Sequence, residues 1–216
     1  MNTLETLSHA RFNFQVSLQL LHPKFGLIAH WCGGVLIRPS WILTAAHSAL
    51  WTAVLGDWNR DIEENTEVRI PIESIVIHEA FHNYQHDIAG DGGREGLTRL
   101  CVATGWGRTD AKGALSSTLR QIKVPLHDNA ICKSKYEPSV PIQRGHLCGG
   151  KLDGHSGGDS GGPLQCILKD GRWFLAGITS FGSGCAKPGY PDVYTRLSFY
   201  VPWIRNRSRI DYFTYI

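Results

Sequence analysis

The chain has 216 residues, 42% of them hydrophobic, and a formal net charge of only +3. This length can bury a full core as one globular unit with two sub-cores. The small charge gives no argument for nucleic acid or an anionic membrane as a partner, and no apolar run reaches the roughly eighteen residues that predict a membrane-spanning helix.

Short strands are predicted along most of the chain, because apolar and polar residues alternate between turn residues. The predicted strands are 12–20, 31–38, the apolar run 41–47, 52–55, 68–77, 101–107, 118–125, 163–169, 173–181 and 192–196. A short helix is predicted from Ser198 to about Ser208, followed by a tail over 209–216. Many short strands with glycine-rich turns and one terminal helix predict an all-β barrel architecture.

The six cysteines contain no Cys-x-x-Cys pair, which favours disulfides over zinc and indicates an oxidising compartment. The first residues show no signal-peptide pattern. We therefore expect a secreted protein whose leader is not part of this sequence.

Two segments suggest metal sites. The polar loop 57–67 holds five carboxylates and is either a solvated hairpin tip or an oxygen-ligand calcium site. The segment 78–82 fits His-Glu-x-x-His, which binds zinc only on a sustained helix. The β-branched residues before it, with Pro71 among them, favour a strand and argue against a zinc protease.

The sequence Gly-Asp-Ser-Gly-Gly-Pro at 158–163 is typical of a turn that presents a nucleophilic serine. All ten histidines precede Ser160. That order excludes the serine–acid–histidine arrangement of α/β-hydrolases. It leaves the order histidine, aspartate, serine, for which the apolar run ending on His47 and the pair His86-Asp87 supply candidates.

Five segments in this order resemble the trypsin/chymotrypsin family of serine endopeptidases. They are Leu-Thr-Ala-Ala-His at 43–47, His-Asp-Ile-Ala at 86–89, Thr-Gly-Trp-Gly at 104–107, Gly-Asp-Ser-Gly-Gly-Pro at 158–163 and Pro-Asp-Val-Tyr-Thr at 191–195. The resemblance implies two antiparallel six-stranded β-barrels with the active site between them and a short C-terminal helix. It places the N-terminal barrel at about 12–97, the C-terminal barrel at about 98–197, and the helix and tail at 198–216, in a single protease domain spanning 1–216.

Carried over motif by motif, the resemblance makes His47 the general base, Asp87 its orienting acid and Ser160 the nucleophile. It also implies that the backbone amides of Gly158 and Ser160 form the oxyanion hole. The expected activity is peptide-bond hydrolysis through an acyl-enzyme, with no cofactor required for catalysis.

The resemblance also indicates a specificity pocket with unusual residues. Its segment 180–182, Ser180, Phe181 and Gly182, resembles the strand that pairs with the substrate backbone. Gly154 stands at the pocket floor, where trypsin-like members carry aspartate, and His155 is next to it. Asp192 stands where the family usually has glycine, so we expect a pocket of mixed specificity that accepts basic and apolar P1 residues.

Two stretches differ from the family. Mature members begin Ile-Val-Gly-Gly, and their terminal ammonium pairs with the aspartate before the serine, here Asp159. The present sequence begins Met-Asn-Thr-Leu. If the amine of Met1 does not insert, we expect a zymogen-like oxyanion hole. The segment between Asp87 and Cys101 is distinctly short, so we expect the N-terminal barrel to lack a strand.

The remaining expectations also follow from the resemblance. It pairs Cys101 with Cys166 and Cys132 with Cys148, and it leaves Cys32 and Cys185 without their usual partners, which are Ser48 and Ser156 here. A calcium site in the loop 57–67 would use Asp57, Glu64 and Glu67. Expected partners are protein or peptide substrates and protein protease inhibitors, and we expect a monomer. A catalytically impaired protease-like binding protein stays open as the alternative to an active enzyme.

Overall fold

A computed structural model describes residues 5–6, 14–22, 26–47, 52–87, 100–108, 113–152, 160–183 and 187–208. Its first seven strands are β1 Glu5–Thr6, β2 Gln15–His22, β3 Gly26–Arg38, β4 Trp41–Leu43, β5 Thr52–Leu55, β6 Val68–Pro71 and β7 Cys101–Gly105. The remaining elements are β8 Arg120–Val124, β9 Leu126–His127, α1 Asn129–Tyr136, β10 His146–Gly149, β11 Pro163–Ile167, β12 Trp173–Phe181, β13 Asp192–Arg196 and α2 Leu197–Ser208.

The strands form two antiparallel sheets. The first sheet has the order β4-β3-β2-β5-β6, and the second has the order β1-β8-β7-β11-β12-β13-β10-β9. Residues 15–19 of β2 are buried on both faces, because one face packs inside its own sheet and the other faces the second sheet. The apolar side chains of Val16 and Leu18 cluster with Cys32 and Ala53 as the core of the first sheet.

The core of the second sheet contains two disulfides that brace it. Cys101 is bonded to Cys166, which joins the paired strands β7 and β11, and Cys132 is bonded to Cys148, which ties α1 to β10. Helix α1 begins after Asp128, whose side chain accepts a hydrogen bond from the Ala130 N–H at 2.8 Å. We did not predict this helix, because its eight residues have a weakly apolar face.

A shared apolar cluster joins the two sheets beneath the cleft between them. Val35 and Leu43 come from the first sheet, Ile178 from β12, and Leu197 and Ile204 from α2. Polar contacts join the sheets elsewhere: the Thr104 hydroxyl donates to Gln15 Oε1 at 2.7 Å, and the His30 ring lies 5.1 Å from that of Trp106. Loops at this junction are therefore anchored to packed residues of both sheets.

The structure confirms the predicted class, with two barrel-like β-sheets and a short C-terminal helix. The described residues contribute five strands to the first sheet. The segment 88–99, on which the expectation of a missing strand rests, lies outside the described residues, so that expectation stays a prediction. The predicted strand 68–77 ends early, at Pro71, because proline has no N–H to continue the ladder. The predicted boundary between the two barrels, at about residues 97 and 98, lies outside the described residues. Neither helix of the described part is long and apolar enough to cross a membrane.

Candidate active site

The site begins with a histidine and an aspartate that come from different parts of the first half. His47 follows β4, and Asp87 ends an irregular segment that has no helix or strand after β6. The ring nitrogen Nδ1 of His47 lies 2.8 Å from Oδ2 of Asp87, and the backbone N–H of His47 donates to Oδ1 at 3.1 Å. Because an ionised carboxylate only accepts hydrogen bonds, Nδ1 carries the proton. In the neutral ring, Nε2 is then left as a base.

Residues of the second sheet hold Asp87 in place. The Ser180 hydroxyl on β12 donates to Oδ2 at 2.6 Å, and the Thr195 hydroxyl on β13 donates to the backbone carbonyl of Asp87 at 2.6 Å. Asp87 is only 1% exposed. A buried carboxylate is stable only when donors satisfy its oxygens, and these donors also fix its orientation. Asp87, which comes from the first half of the chain, is therefore held by hydrogen bonds from the second sheet.

Ser160 lies against the segment that leads to His47. The carbonyl of Ser160 accepts a hydrogen bond from the Gly33 N–H at 2.9 Å, and the Thr44 hydroxyl donates to the Gly33 carbonyl at 2.9 Å. The next residue, Gly161, has a φ of 83° and donates its N–H to the Thr179 carbonyl at 2.8 Å. A Cβ at Gly161 would collide with the Thr44 hydroxyl and the Gly33 carbonyl. This close packing places Ser160 beside the histidine segment and requires glycine after it.

An aromatic wall extends from His47 along the cleft. Tyr84 contacts the His47 ring edge-on at 5.6 Å and the Phe181 ring at 5.3 Å. Three residues of this turn, Asn83, Tyr84 and His86, have positive φ although none is glycine. Such backbone is held only by surrounding contacts, and such residues cluster at functional sites. The wall therefore presents an apolar surface next to the histidine.

His146 supports the wall from behind. Its Nδ1 accepts a hydrogen bond from the Gln143 N–H at 2.9 Å, so its Nε2 carries the proton and donates to the Tyr84 carbonyl at 3.1 Å. His146 is 2% exposed, and burial lowers its pKa below the ordinary histidine value. Its neutral form thus holds the strained turn in place.

The pocket side of the site contains a buried carboxylate and a buried phenol. Asp192 at the start of β13 is 8% exposed and pairs in register with Gly149 of β10. The Tyr136 hydroxyl donates to the Pro191 carbonyl at 2.6 Å and accepts from the Ser183 N–H at 3.0 Å. Burial first, and then the charge of Asp192, raise the pKa of Tyr136 to about 12. The phenol therefore stays neutral and fixes the chain on either side of the pocket wall.

Of the predicted pocket residues, Ser180 and Phe181 line the cleft beside Asp87 and Tyr84, and Gly182 follows them as an exposed residue. Four predicted site residues lie outside the described residues. They are Gly154, His155, Gly158 and Asp159. Their roles stay predictions.

Three residues of the site, Tyr84, His146 and Thr195, were not predicted from the sequence. Thr195 ends the quoted Pro-Asp-Val-Tyr-Thr segment, so that motif was the one signal that could have found it. Tyr84 and His146 carry no local signal, since their contacts join residues far apart in the sequence.

The carboxylates of the predicted calcium loop accept hydrogen bonds from the protein. Both carboxylate oxygens of Glu67 accept backbone N–H groups, from Glu64 at 2.7 Å and Thr66 at 3.1 Å. A Glu64 oxygen accepts from the Asn59 N–H at 3.3 Å, and Asp57 accepts from the Gln19 amide at 3.1 Å. These carboxylates stabilise the loop itself. Among the described residues, no group of three or more metal-ligand side chains comes together.

The His-Glu-x-x-His segment forms turns rather than the helix that a zinc protease needs. His82 pairs with Gln85 in an isolated bridge, and the ring of His78 stacks on that of His86 at 4.9 Å. Burial and the neighbouring His86 lower the pKa of His78. The two histidines of the motif therefore do not share one helical face.

The chain matches known proteins over almost its whole length. The family model for trypsin matches residues 3–90 and 94–204. Chymotrypsin-like elastase family member 1 of Macaca fascicularis is 36% identical over 222 residues, which cover 88% of this chain and 82% of the relative. The protein of the same name from Homo sapiens is 34% identical and covers 89% of this chain and 86% of the relative.

A third relative is a longer protein. Transmembrane protease serine 7 of Mus musculus is 37% identical over 233 residues, which cover 88% of this chain but only 26% of that relative. The similarity to the longer protein is thus confined to about a quarter of its length.

We predict that Gly161→Ala destabilises the fold more than Gly171→Ala does. Both glycines have positive φ, which costs an alanine about 1–2 kcal/mol. A Cβ at Gly171 meets nothing within 4 Å, whereas one at Gly161 collides with Gly33 and Thr44, which should cost a further ~1–3 kcal/mol. Urea unfolding of both variants measures the difference. Equal losses would show that the contact between Ser160 and Gly33 is not tightly packed.

We also predict that His146 makes stability depend on pH. Its folded pKa is lowered by burial, so the unfolded chain binds the proton better, and stability should fall as pH drops below about 6.5. His146→Gln should weaken this dependence, leaving the smaller contribution of His78, whose pKa is also lowered. The exposed His82→Gln is the matched control. Urea midpoints between pH 5 and 7.5 test this, and an unchanged slope in His146→Gln would contradict it.

Proposed function

Because the chain belongs to the trypsin family of serine endopeptidases, we propose that it cleaves peptide bonds with Ser160 as nucleophile, His47 as general base and Asp87 as orienting acid. The observation that carries this assignment is the 2.8 Å contact between His47 Nδ1 and an Asp87 carboxylate that Ser180 also holds. Protein substrates follow from the family.

The proposed reaction uses the tautomer that Asp87 imposes. With its proton on Nδ1, His47 accepts the Ser160 hydroxyl proton on Nε2 while the oxygen attacks the substrate carbonyl. The imidazolium that forms is stabilised by the buried carboxylate 2.8 Å away. It then returns the proton to the leaving amine, and water attacks the acyl-enzyme to release the product and regenerate Ser160.

Backbone amides are proposed to stabilise the charge that develops on the carbonyl oxygen. The amides of Gly158 and Ser160 are the candidates, and such donors each contribute roughly 10²–10³ in rate. We propose that Asp159 sets their orientation once it pairs with an amino terminus. A zymogen-like form would result when that partner is missing, since an unpaired buried carboxylate is costly.

We propose a P1 pocket whose charge comes from Asp192 on its wall. Asp192 is largely buried beside the wall formed by Phe181, Tyr136 and Tyr190. A carboxylate next to aromatic rings can accept a basic P1 side chain, while the rings can pack against an apolar one. His155 and Gly154 complete the pocket in this proposal.

The localisation, oligomeric state and partners of the protein are proposed on the basis of the same assignment. We propose a secreted monomer that protein protease inhibitors block by occupying the same cleft. Both described disulfides, Cys101–Cys166 and Cys132–Cys148, are consistent with an oxidising compartment. Catalysis in this family needs no cofactor, and the carboxylates of the calcium loop already accept protein donors. Calcium therefore has no part in the proposed reaction.

The first test asks whether Ser160 is a reactive nucleophile. A fluorophosphonate probe should label the wild-type chain at Ser160 and should not label Ser160→Ala. Asp87→Asn should keep the fold but lower kcat about 10⁴-fold, because the amide favours the wrong histidine tautomer. Peptide mapping of the labelled protein and progress curves with peptide amides measure both effects. A folded wild-type chain that takes no label would instead support a protease-like binding protein.

The second test concerns specificity. With a peptide library varied at P1, the wild-type chain should cleave after Lys and Arg as well as after Leu and Phe. Asp192→Gly should lower kcat/KM for the basic residues at least tenfold and leave the apolar ones nearly unchanged, because only the basic side chains use the carboxylate. Asp170→Gly, at an exposed turn, is the matched control. Equal losses for basic and apolar substrates would contradict the pocket assignment.

A further inference from the structure

The first sheet has an open apolar groove between its two edge strands. A cavity of about 340 Å³ lies there, bordered by β4 residues on one side and by residues 70–76 on the other. Its floor includes Leu18 and Ala53, which belong to the core of the first sheet. Within the described residues, β4 pairs only with β3, and β6 pairs only with β5. The groove therefore leaves part of the core of the first sheet uncovered between the edge strands β4 and β6.

The rim of this groove exposes large apolar side chains. Ile70 and Ile75, both lining residues, are 43% and 42% exposed. Unpaired strand edges next to exposed apolar side chains attract a further strand. The shape and chemistry of the groove therefore fit one extended, partly apolar segment.

We propose that residues 209–216 of the same chain fill this groove as an added strand and close the first barrel. The sequence of the tail is Arg-Ile-Asp-Tyr-Phe-Thr-Tyr-Ile, and after Arg209 six of its seven residues are β-branched or aromatic. Those are the residue types that favour strands. Eight residues are also more than the three of β4 or the four of β6, so an extended tail is longer than either edge strand.

The end of α2 brings the tail to the groove. Ile204, Arg207 and Ser208 line the cavity, so the tail begins at its border. Glu79 anchors this end of the helix, since it accepts from the Trp203 indole at 2.8 Å and forms an ion pair with Arg207. A tail leaving a fixed point beside the groove has a high effective concentration there.

Other segments of the chain are poorer candidates. Residues 88–99 continue directly from Asp87, but their sequence after Ile88 and Ala89 is Gly-Asp-Gly-Gly-Arg-Glu-Gly-Leu-Thr-Arg, in which Leu97 is the one large apolar side chain. Near the amino terminus, β1 pairs with β8 of the second sheet. The tail is the segment that combines strand propensity with a start at the groove.

Hydrogen exchange tests this proposal without using hydrolysis, so its failure is separable from failure of the proposed function. Amides of 41–43 and 70–76 should exchange at least tenfold faster in a chain that ends at Ser208 than in the full chain. A synthetic peptide of residues 209–216 should restore the protection, and a scrambled peptide should not. Unchanged exchange on deletion of the tail would overturn the proposal. The proposal would also be overturned if the amides were protected only under conditions in which sedimentation shows a dimer, because a second copy of the chain would then fill the groove.

Two full-length variants keep the test decisive if the shortened chain does not fold. A strand turns alternate side chains to opposite faces. The first variant combines Ile210→Asn with Tyr212→Asn, and the second combines Phe213→Asn with Tyr215→Asn. We therefore expect one of them to lose protection at 41–43 and 70–76 while the other keeps it. Equal behaviour of the two variants would contradict a strand in the groove.

Discussion

The structure depends on one buried carboxylate that belongs to the first half of the chain but is held by the second. Asp87 contacts the ring and backbone of His47, and it receives hydroxyl donors from Ser180 on β12 and Thr195 on β13. Oδ2 has two of these donors, whereas Oδ1 and the backbone carbonyl have one each, from His47 N–H and from Thr195. Removing the Thr195 hydroxyl would therefore leave a buried acceptor unsatisfied, which typically costs about 1–3 kcal/mol. The geometry of the cleft and the docking of the two sheets are thus coupled at Asp87.

The sequence predicted the class of fold well, because strand patterns are local. The bounds of β5, β12 and β13 were predicted to the residue, helped by the glycine and proline turns that follow β5, surround β12 and precede β13. Helix α1 was missed because its eight residues are held by the Cys132–Cys148 disulfide and the Asp128 cap rather than by a strong apolar face. The site motifs were readable for a similar reason, since each is a short local segment.

What the sequence could not predict depends on contacts between distant residues. The support of Tyr84 by His146 joins residues from the two halves, and nothing near either residue in the sequence indicates it. The hydrogen bonds of the predicted calcium loop are a related case. Spacing placed Asp57, Glu64 and Glu67 in one loop, but only the folded loop shows that backbone N–H groups and Gln19 donate to their oxygens. Composition indicates which ligands are present, whereas coordination depends on where they point.

The way Asp87 is held also bears on how the first sheet tolerates an open groove. The carboxylate and the carbonyl of Asp87 are fixed by hydroxyls of the second sheet, whose core carries both described disulfides. These two hydroxyl donors to Asp87 do not depend on the edges of β4 and β6. His47 differs, because it follows β4, which is one edge of the groove. Whatever closes the groove therefore acts on His47 rather than on Asp87, by fixing the strand from which His47 extends toward a carboxylate that the second sheet already holds.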